Sequence, residues 1–149
     1  MSMNWMATMG MTLMREILFR GKRLDNGEWV EGYLYEHEPA LVGIVPENYV
    51  PEPSKWFIAR TGFADWNMPR PVEFVEIDPS TVGQYTGLKD KNGKMIWEWD
   101  ILALRNGIPR VVRFENGAFV LENTSIPMRF ANKFEVIGNV HDNPELFGK

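Results

Sequence analysis

The sequence predicts a mainly β fold, arranged as a small barrel or sandwich. Four Asn-Gly dipeptides lie along the chain, most of them between apolar or β-branched runs, and both residue types tolerate the positive φ of a type I′ hairpin turn. They are Asn26-Gly27, Asn92-Gly93, Asn106-Gly107 and Asn116-Gly117. The runs between the last three are short, as strands are. In addition, seven of the ten prolines lie between His37 and Pro79, where they exclude long regular elements.

Length and charge limit the class of protein. A chain of 149 residues fits one domain with a core of its own, and its formal net charge is -4. Such a balance gives no global electrostatic signal for nucleic acid. The absence of cysteine removes disulfides, thiolate zinc sites and a cysteine nucleophile, and it suits a reducing compartment such as the cytoplasm. No apolar run reaches the roughly 18 residues of a membrane helix, so no membrane partner is expected.

We expect one domain preceded by an extension. Residues 1–13 hold five of the nine methionines and no charged residue, so we predict that they are disordered or loosely packed. Residues 14–149 are predicted to form a single β domain. Its parts are an N-terminal hairpin over 14–36, a proline-rich insert over 37–78 and a barrel over 79–146.

Strand register follows from the turns if each has two residues. The turn at Asn116-Gly117 then places Phe114 opposite Phe119 and Val112 opposite Leu121. The same rule at Asn106-Gly107 places Ile101 opposite Val112 and Asp100 opposite Arg113, and at Asn26-Gly27 it places Leu24 opposite Trp29. These registers predict one apolar wall over the last hairpins, made of Met95, Trp97, Trp99, Ile101, Val112, Phe114, Phe119 and Leu121.

Glu98 and Asp100 alternate with the two tryptophans and are the candidates for a catalytic pair. In the predicted register both carboxylates face solvent, opposite to the wall, and Asp100 pairs with Arg113. No histidine or third carboxylate lies at a sequence spacing that would complete a catalytic site with them. His37 and His141 each lack a partner at metal-ligand spacing. The sequence therefore predicts no catalytic site, no metal and no cofactor.

Two groups of residues are candidates for binding. Arg105, Arg110 and Arg113, on and around one hairpin, could contact nucleic acid, or they could form a solvated face. A set of four aromatic residues could form an exposed recognition loop, or cover a barrel end and a subunit interface. This set comprises Trp56, Phe57, Phe63 and Trp66.

Three blocks of sequence together resemble the YopX-like family of phage and prophage proteins. They are "MREILFRGKRLDNGEWVEGYLY", "DPSTVGQYTGLKDKNGKMIWEWDIL" and "FEVIGNVHDNPEL". The resemblance implies a barrel of SH3-like type, assembly into oligomers and a phage or prophage origin, and it supplies no catalytic residues. Where the family usually has glycine, in a motif like "YEGDI", this chain has Trp99. A glycine at that place suggests a bulge or a close backbone approach.

The function expected from the sequence is that of a non-catalytic, oligomeric interaction protein. Its expected partners are other copies of the chain and a protein of the phage or the bacterial host. The alternative is an accessory protein that binds nucleic acid through the arginine hairpin. Salt separates the two, because phosphate contacts weaken as salt rises whereas aromatic burial persists.

Overall fold

A computed structural model describes residues 15–40, 43–62 and 71–146, and their regular secondary structure is almost entirely β-strand. The mainly β class predicted from the sequence is thus confirmed. The strands are β1 (Phe19–Arg23), β2 (Trp29–His37), β3 (Lys55–Thr61), β4 (Val72–Lys89), β5 (Met95–Trp97), β6 (Asp100–Ala103), β7 (Pro109–Glu115), β8 (Ala118–Leu121) and β9 (Glu135–Asn139). Two short 3₁₀ helices cover Met128–Lys133 and Pro144–Leu146. Within the described ranges no helix is long and apolar enough to cross a membrane.

The chain divides into two compact units, and the division falls inside β4, between Val82 and Gly83. The first unit comprises residues 18–82, so most of the predicted hairpin, 14–36, and the described part of the proline-rich insert, 37–78, belong to one body. The second unit comprises, among the described residues, 15–17 and 83–146. The predicted extension, residues 1–13, lies outside the described residues.

In the first unit, β1, β2, β3 and β4 are antiparallel neighbours in that order, and β1 also pairs with β4. Alternation along each strand sends one set of side chains inward. The buried cluster is formed by Val30, Ile58, Val75 and Ile77. Gly32 is required here, because a Cβ at this position would clash with the backbone carbonyl oxygen of Ala59.

In the second unit the end of β4 pairs with β5, and a four-stranded sheet has the order β8-β7-β6-β9. Its core includes fully buried side chains from several elements. They are Ile96, Leu102, Val112 and Ala131, joined by Leu121, Phe134 and Val136. Trp97 and Ile101 are also buried, so adjacent residues of β5 and of β6 are both enclosed. The predicted one-sided wall is therefore wrong: Phe114, one of its members, is 51% exposed, while Ile96 on the opposite side is completely buried.

Only one Asn-Gly turn has the predicted two-residue geometry. Type I′ requires positive φ at both central residues, and Asn116 (φ 52°) with Gly117 (φ 82°) meets that condition. The predicted pairs Phe114 with Phe119 and Val112 with Leu121 are confirmed.

The registers predicted at two other turns are wrong, because glycine alone adopts positive φ there and the loops are longer. At Asn106-Gly107 the loop is closed by Leu104 and Ile108, so Ile101 faces Val111 instead of Val112. At Asn26-Gly27 the loop is closed by Arg23 and Glu28. Trp29 consequently faces Lys22 instead of Leu24.

Candidate interaction sites

The outer surface of β2, β3 and β4 in the first unit carries aromatic side chains. Tyr35 on β2 is the register partner of Phe57 on β3. Phe74 on β4 is the register partner of Ala59, which follows Phe57 on the same face of β3. The intervening residues Leu34 and Ile58 point to the core side, as alternation requires. We call the residues Tyr33, Tyr35, Phe57 and Phe74 the aromatic face.

The rings of the aromatic face contact one another and solvent at the same time. Tyr35 lies 6.4 Å from Phe57 and 5.8 Å from Phe74 between ring centroids, and Phe57 and Phe74 meet edge to face at 6.5 Å. Yet Tyr35 is 46% and Phe74 56% exposed. The hydroxyl of Tyr35 and Nδ1 of His37 form a hydrogen bond of 3.1 Å at one end of the cluster. The result is a preorganised apolar surface that no other element among the described residues covers.

The two predicted interface aromatics that the structure describes have different roles. Trp56 lies on the inner side of β3 and packs against the buried cluster of the first unit. Phe57, its neighbour, lies on the aromatic face. Phe63 and Trp66 lie outside the described residues. Sequence reasoning missed Tyr35 and Phe74; the alternation in "GYLYEH" was a usable signal, because it sets both tyrosines opposite to the core residue Leu34.

The second unit carries a different apolar surface, a groove of about 410 Å³ between the β6–β7 loop and the first 3₁₀ helix. Its floor is apolar and its rim is cationic. We call this the basic groove; Leu104, Ile126, Phe130 and Phe134 form the floor, and Arg105 and Lys133 stand at the rim.

Cations concentrate around the ring of Phe130. The guanidinium carbon of Arg129 and Nζ of Lys133 each lie 4.9 Å from the ring centroid, within the range of cation–π attraction. Arg105 is exposed at the opposite rim, and within the described ranges no ion pair joins it to a carboxylate. The groove therefore combines apolar area with positive charge available for an anionic partner.

The three arginines predicted as a nucleic-acid patch have unequal surroundings. Arg105 lines the basic groove, whereas an Nη of Arg110 donates a 2.9 Å hydrogen bond to the carbonyl of Pro109. Arg113 forms ion pairs with Glu122 (3.2 Å) and Glu115 (3.6 Å). Its charge is thus compensated locally. Sequence reasoning missed two other cations, Lys133 at the rim of the groove and Arg129 over the ring of Phe130.

Glu98 and Asp100 do not share a solvated face, so that prediction is wrong for Asp100. Its side chain is 2% exposed, and Oδ2 accepts a 2.8 Å hydrogen bond from the backbone N–H of Trp97. On β6 it faces Asn139 of β9 instead of Arg113. Glu98 is half-buried; burial raises the pKa of its carboxyl, opposed by a hydrogen bond that Oε1 accepts from the N–H of Gln84. Asp100 closes a turn, which is a structural role.

Trp99 occupies a left-handed backbone conformation with φ 74°. This is the position at which the resemblance noted above has glycine, and only glycine adopts such a φ without steric cost. The indole ring lies 5.2 Å from the guanidinium of Arg113 and 6.4 Å from the ring of His141. The close backbone approach that a glycine would permit is found next to Trp99, at Gly83. A Cβ on Gly83 would lie 2.7 Å from the carbonyl oxygen of Glu98.

Metal ligation has no support in the part of the chain that is described. There, no three His, Asp or Glu side chains gather at a place that could hold an ion. His37 belongs to the rim of the aromatic face and His141 to the surroundings of Trp99.

Together these features define a mainly β protein with two separate uncovered surfaces, one aromatic and one basic. A model of the YopX protein family matches residues 60–148, and the chain belongs to this family. The structure is similar to the crystal structure of protein EF1440 from Enterococcus faecalis, with 23% sequence identity and a TM-score of 0.51. That likeness covers 89% of this chain and 99% of the other, and it shows a shared fold. No curated protein matches the sequence.

Proposed function

We propose that this protein is a non-catalytic interaction module that assembles with copies of itself through the aromatic face. The observation that carries the proposal is a contiguous ring cluster on a sheet, in which Tyr35 and Phe74 are exposed and contact the half-buried ring of Phe57. Contiguous exposed apolar surface of this kind marks protein–protein contacts. Aromatic residues are enriched at such contacts because each buries a large area at low conformational cost.

The composition of the face favours a second copy as its cover. Tyr33, 66% exposed, and Val72, 64% exposed, extend it along β2 and β4. The rings themselves are uncharged, with the exposed carboxylate of Glu76 beside Phe57 as its register partner, and a two-fold axis makes the same patch serve both partners. The apolar rings would then leave water on both sides, which is the largest favourable term in association.

Beyond the β class and the family, we propose a more specific fold and a cellular location. We propose a small barrel of SH3-like type over residues 79–146, and the antiparallel pairing of β6 with both β7 and β9, and of β7 with β8, supports it. We also propose a phage or prophage origin and a place in the cytoplasm of the bacterial host, in keeping with the lack of cysteine. A phage or host protein would be a further partner of the assembly.

A nucleic-acid accessory role is the second candidate, and the basic groove is the observation that favours it. Arg129 and Lys133 lie over the ring of Phe130 and Arg105 stands at the opposite rim, so cations and an aromatic ring come together as in a single-strand site. Against it stand the net charge of -4 and the compensation of Arg113 by two glutamates. We therefore rank self-assembly first.

Size-exclusion chromatography with light scattering tests the two roles together. The purified protein is run at low and at high salt while absorbance at 260 and 280 nm is recorded across the peak. We expect an oligomer free of nucleic acid whose mass does not fall as salt rises, because apolar burial is strengthened by salt. A monomer at all concentrations would contradict self-assembly, and a peak that loses nucleic acid as salt rises would support the second candidate.

A further inference from the structure

We propose that the basic groove of one copy binds the segment 43–54 of a second copy, here called the acidic segment. This contact is distinct from the aromatic face, because it joins two different surfaces instead of two identical ones. It gives the chain a second, head-to-tail mode of association.

The groove offers a binding site of suitable size. Its volume of about 410 Å³ accommodates one or two apolar side chains and lies within the range of ligand pockets, roughly 300–1,000 Å³. Leu104, Ile126 and Phe130 supply an apolar floor, whereas Arg105 and Lys133 supply positive charge at the edge. The occupant that fits is an apolar segment that also carries carboxylates.

The acidic segment has that chemistry. Ile44 is fully exposed and Val50 is 81% exposed, although both are large apolar residues. Over residues 43–54 no strand or helix forms, so these side chains have no sheet of their own against which to pack. They are available to a partner.

The charge of the acidic segment complements that of the groove. It contains Glu47 and Glu52 and no lysine or arginine. In fact no Lys or Arg occurs between Leu24 and Ser54, although this stretch holds seven Asp and Glu residues. Opposite charges on two surfaces that are both partly apolar steer encounter and fix the register of a complex.

Proline reduces the entropy that binding would cost. Pro46, Pro51 and Pro53 restrict φ along the acidic segment and favour extended backbone. A segment already confined near an extended conformation loses less freedom when it is bound. The turn between Pro46 and Tyr49, closed by a 3.0 Å hydrogen bond, confines it further.

A protein segment fits the groove better than single-stranded nucleic acid does. Base stacking requires a free aromatic face, and the ring of Phe130 already has Arg129 and Lys133 placed at 4.9 Å. The remaining floor is aliphatic or buried aromatic surface, which matches apolar side chains instead of phosphates.

Reciprocal charge reversal tests the proposal in the full-length protein. The groove variant carries Arg105→Glu and Lys133→Glu, and the segment variant carries Glu47→Lys and Glu52→Lys; all four positions are exposed, which favours retention of the fold. Both variants and their parent also carry Tyr35→Thr and Phe74→Thr, so that association through the aromatic face does not mask the result. A matched control carries Lys89→Glu and Lys94→Glu, two exposed positions outside the groove.

Sedimentation velocity over a concentration series reports association. We expect the parent and the matched control to associate equally. Each reversed variant alone should associate at least about tenfold more weakly than the parent. An equimolar mixture of the two variants should regain the association of the parent, because each groove then meets a segment of opposite charge from the other variant. Association can be restored by mixing only if the groove of one copy binds the acidic segment of another copy.

Three results would overturn the proposal. The first is a parent that stays monomeric, and the second is a mixture that associates no more than its components do. The third is a single-stranded oligonucleotide that binds parent and segment variant equally while mixing restores nothing, which would assign the groove to nucleic acid. Failure of the aromatic-face proposal leaves this test intact, because Tyr35→Thr and Phe74→Thr would then change nothing.

Discussion

The two units differ in where their clustered aromatic residues lie. In the first unit Tyr35 and Phe74 lie on the outer surface of the sheet, roughly half exposed. In the second unit Trp97 and Phe134 are buried, at 3% and 7% exposure. Since burial of rings stabilises the fold, rings left outside serve another purpose or none. We expect Trp97 and Phe134 to contribute stability, and we propose that Tyr35 and Phe74 serve association.

The uncovered surfaces of the two units differ in charge as well. The rings of the aromatic face are uncharged, with Glu76 beside Phe57, whereas the basic groove is edged by Arg105 and Lys133. An uncharged face suits an identical copy, and a cationic groove requires a partner of opposite charge. The two surfaces therefore select different kinds of contact.

Substitution of a buried aromatic should give the largest effect. Trp97→Ala removes a ring that is 3% exposed and lies 5.4 Å from Tyr85, so the free energy of unfolding should fall by about 3–5 kcal/mol. Phe74→Thr in the first unit is the matched comparison, and it should change this energy by about 0.5 kcal/mol or less. Chemical denaturation measures both. Equal losses would remove the distinction between structural and exposed aromatics.

A buried carboxylate of the second unit should give the next effect. Asp90 accepts backbone hydrogen bonds from Asn92 (2.8 Å), Lys94 (2.9 Å) and Val136 (3.0 Å). Asp90→Asn retains one oxygen but turns an amide donor toward a backbone donor. We expect a loss of about 1–3 kcal/mol at neutral pH.

The loss at Asp90 should depend on pH with a defined sign. Burial alone would raise the pKa of Asp90, but the three backbone N–H groups outweigh it and hold the pKa below its usual range. The ionised form therefore contributes stability that is present above the ordinary pKa of about 4 and is lost as pH falls through the lower, folded value. Denaturation of both proteins from pH 7 to pH 2 should show the difference shrinking; a constant difference would show that the charge does not matter.

Backbone strain at Trp99 gives a smaller effect. Trp99→Ala loses the ring contacts and keeps the unfavourable φ of 74°, whereas Trp99→Gly loses the contacts and relieves that φ. The glycine variant should therefore be more stable than the alanine variant by about 1 kcal/mol. Thermal and chemical unfolding of the pair measures this difference. An alanine variant that is equally stable would mean that the left-handed conformation costs nothing.

The smallest effect is expected at Glu98. Burial raises the pKa of Glu98, so the wild-type protein loses stability as pH rises between the ordinary and the raised value, and Glu98→Gln lacks this loss. At neutral pH the glutamine variant should equal or exceed wild type by about 0.5 kcal/mol or less. A large destabilisation in denaturant titrations would contradict this expectation. It would indicate that the ionised carboxylate stabilises the fold through the hydrogen bond that it accepts from Gln84.

The sequence predicts the class and family, but the register only where turn chemistry is decisive. Asn116-Gly117 has two positive φ values and its pairs were predicted correctly, whereas Gly27 and Gly107 reach positive φ without their asparagines. Dipeptide identity does not specify loop length, because a single left-handed glycine also closes longer loops. A shift of one residue at Asn106-Gly107 then changed the partners of Asp100 and Arg113.

The candidate surfaces could be predicted only in part for a related reason. Phe57 and Arg105 stand out in the sequence, but their neighbours Phe74 and Lys133 come from elements far along the chain. Which strand lies beside β3, and which helix lies beside the β6–β7 loop, depends on tertiary pairing that alternation does not encode. Both surfaces arise from such pairings.

The most direct test of the account is the association state of the aromatic-face variant. Full-length protein carrying Tyr35→Thr and Phe74→Thr is compared by sedimentation velocity with wild type and with Phe114→Thr, a control that removes a ring 51% exposed in the second unit. We expect the double variant to associate at least about tenfold more weakly than wild type, and the control to associate as wild type does. Unchanged association of the double variant, with its fold intact, would contradict the claim that the aromatic face joins copies of this protein.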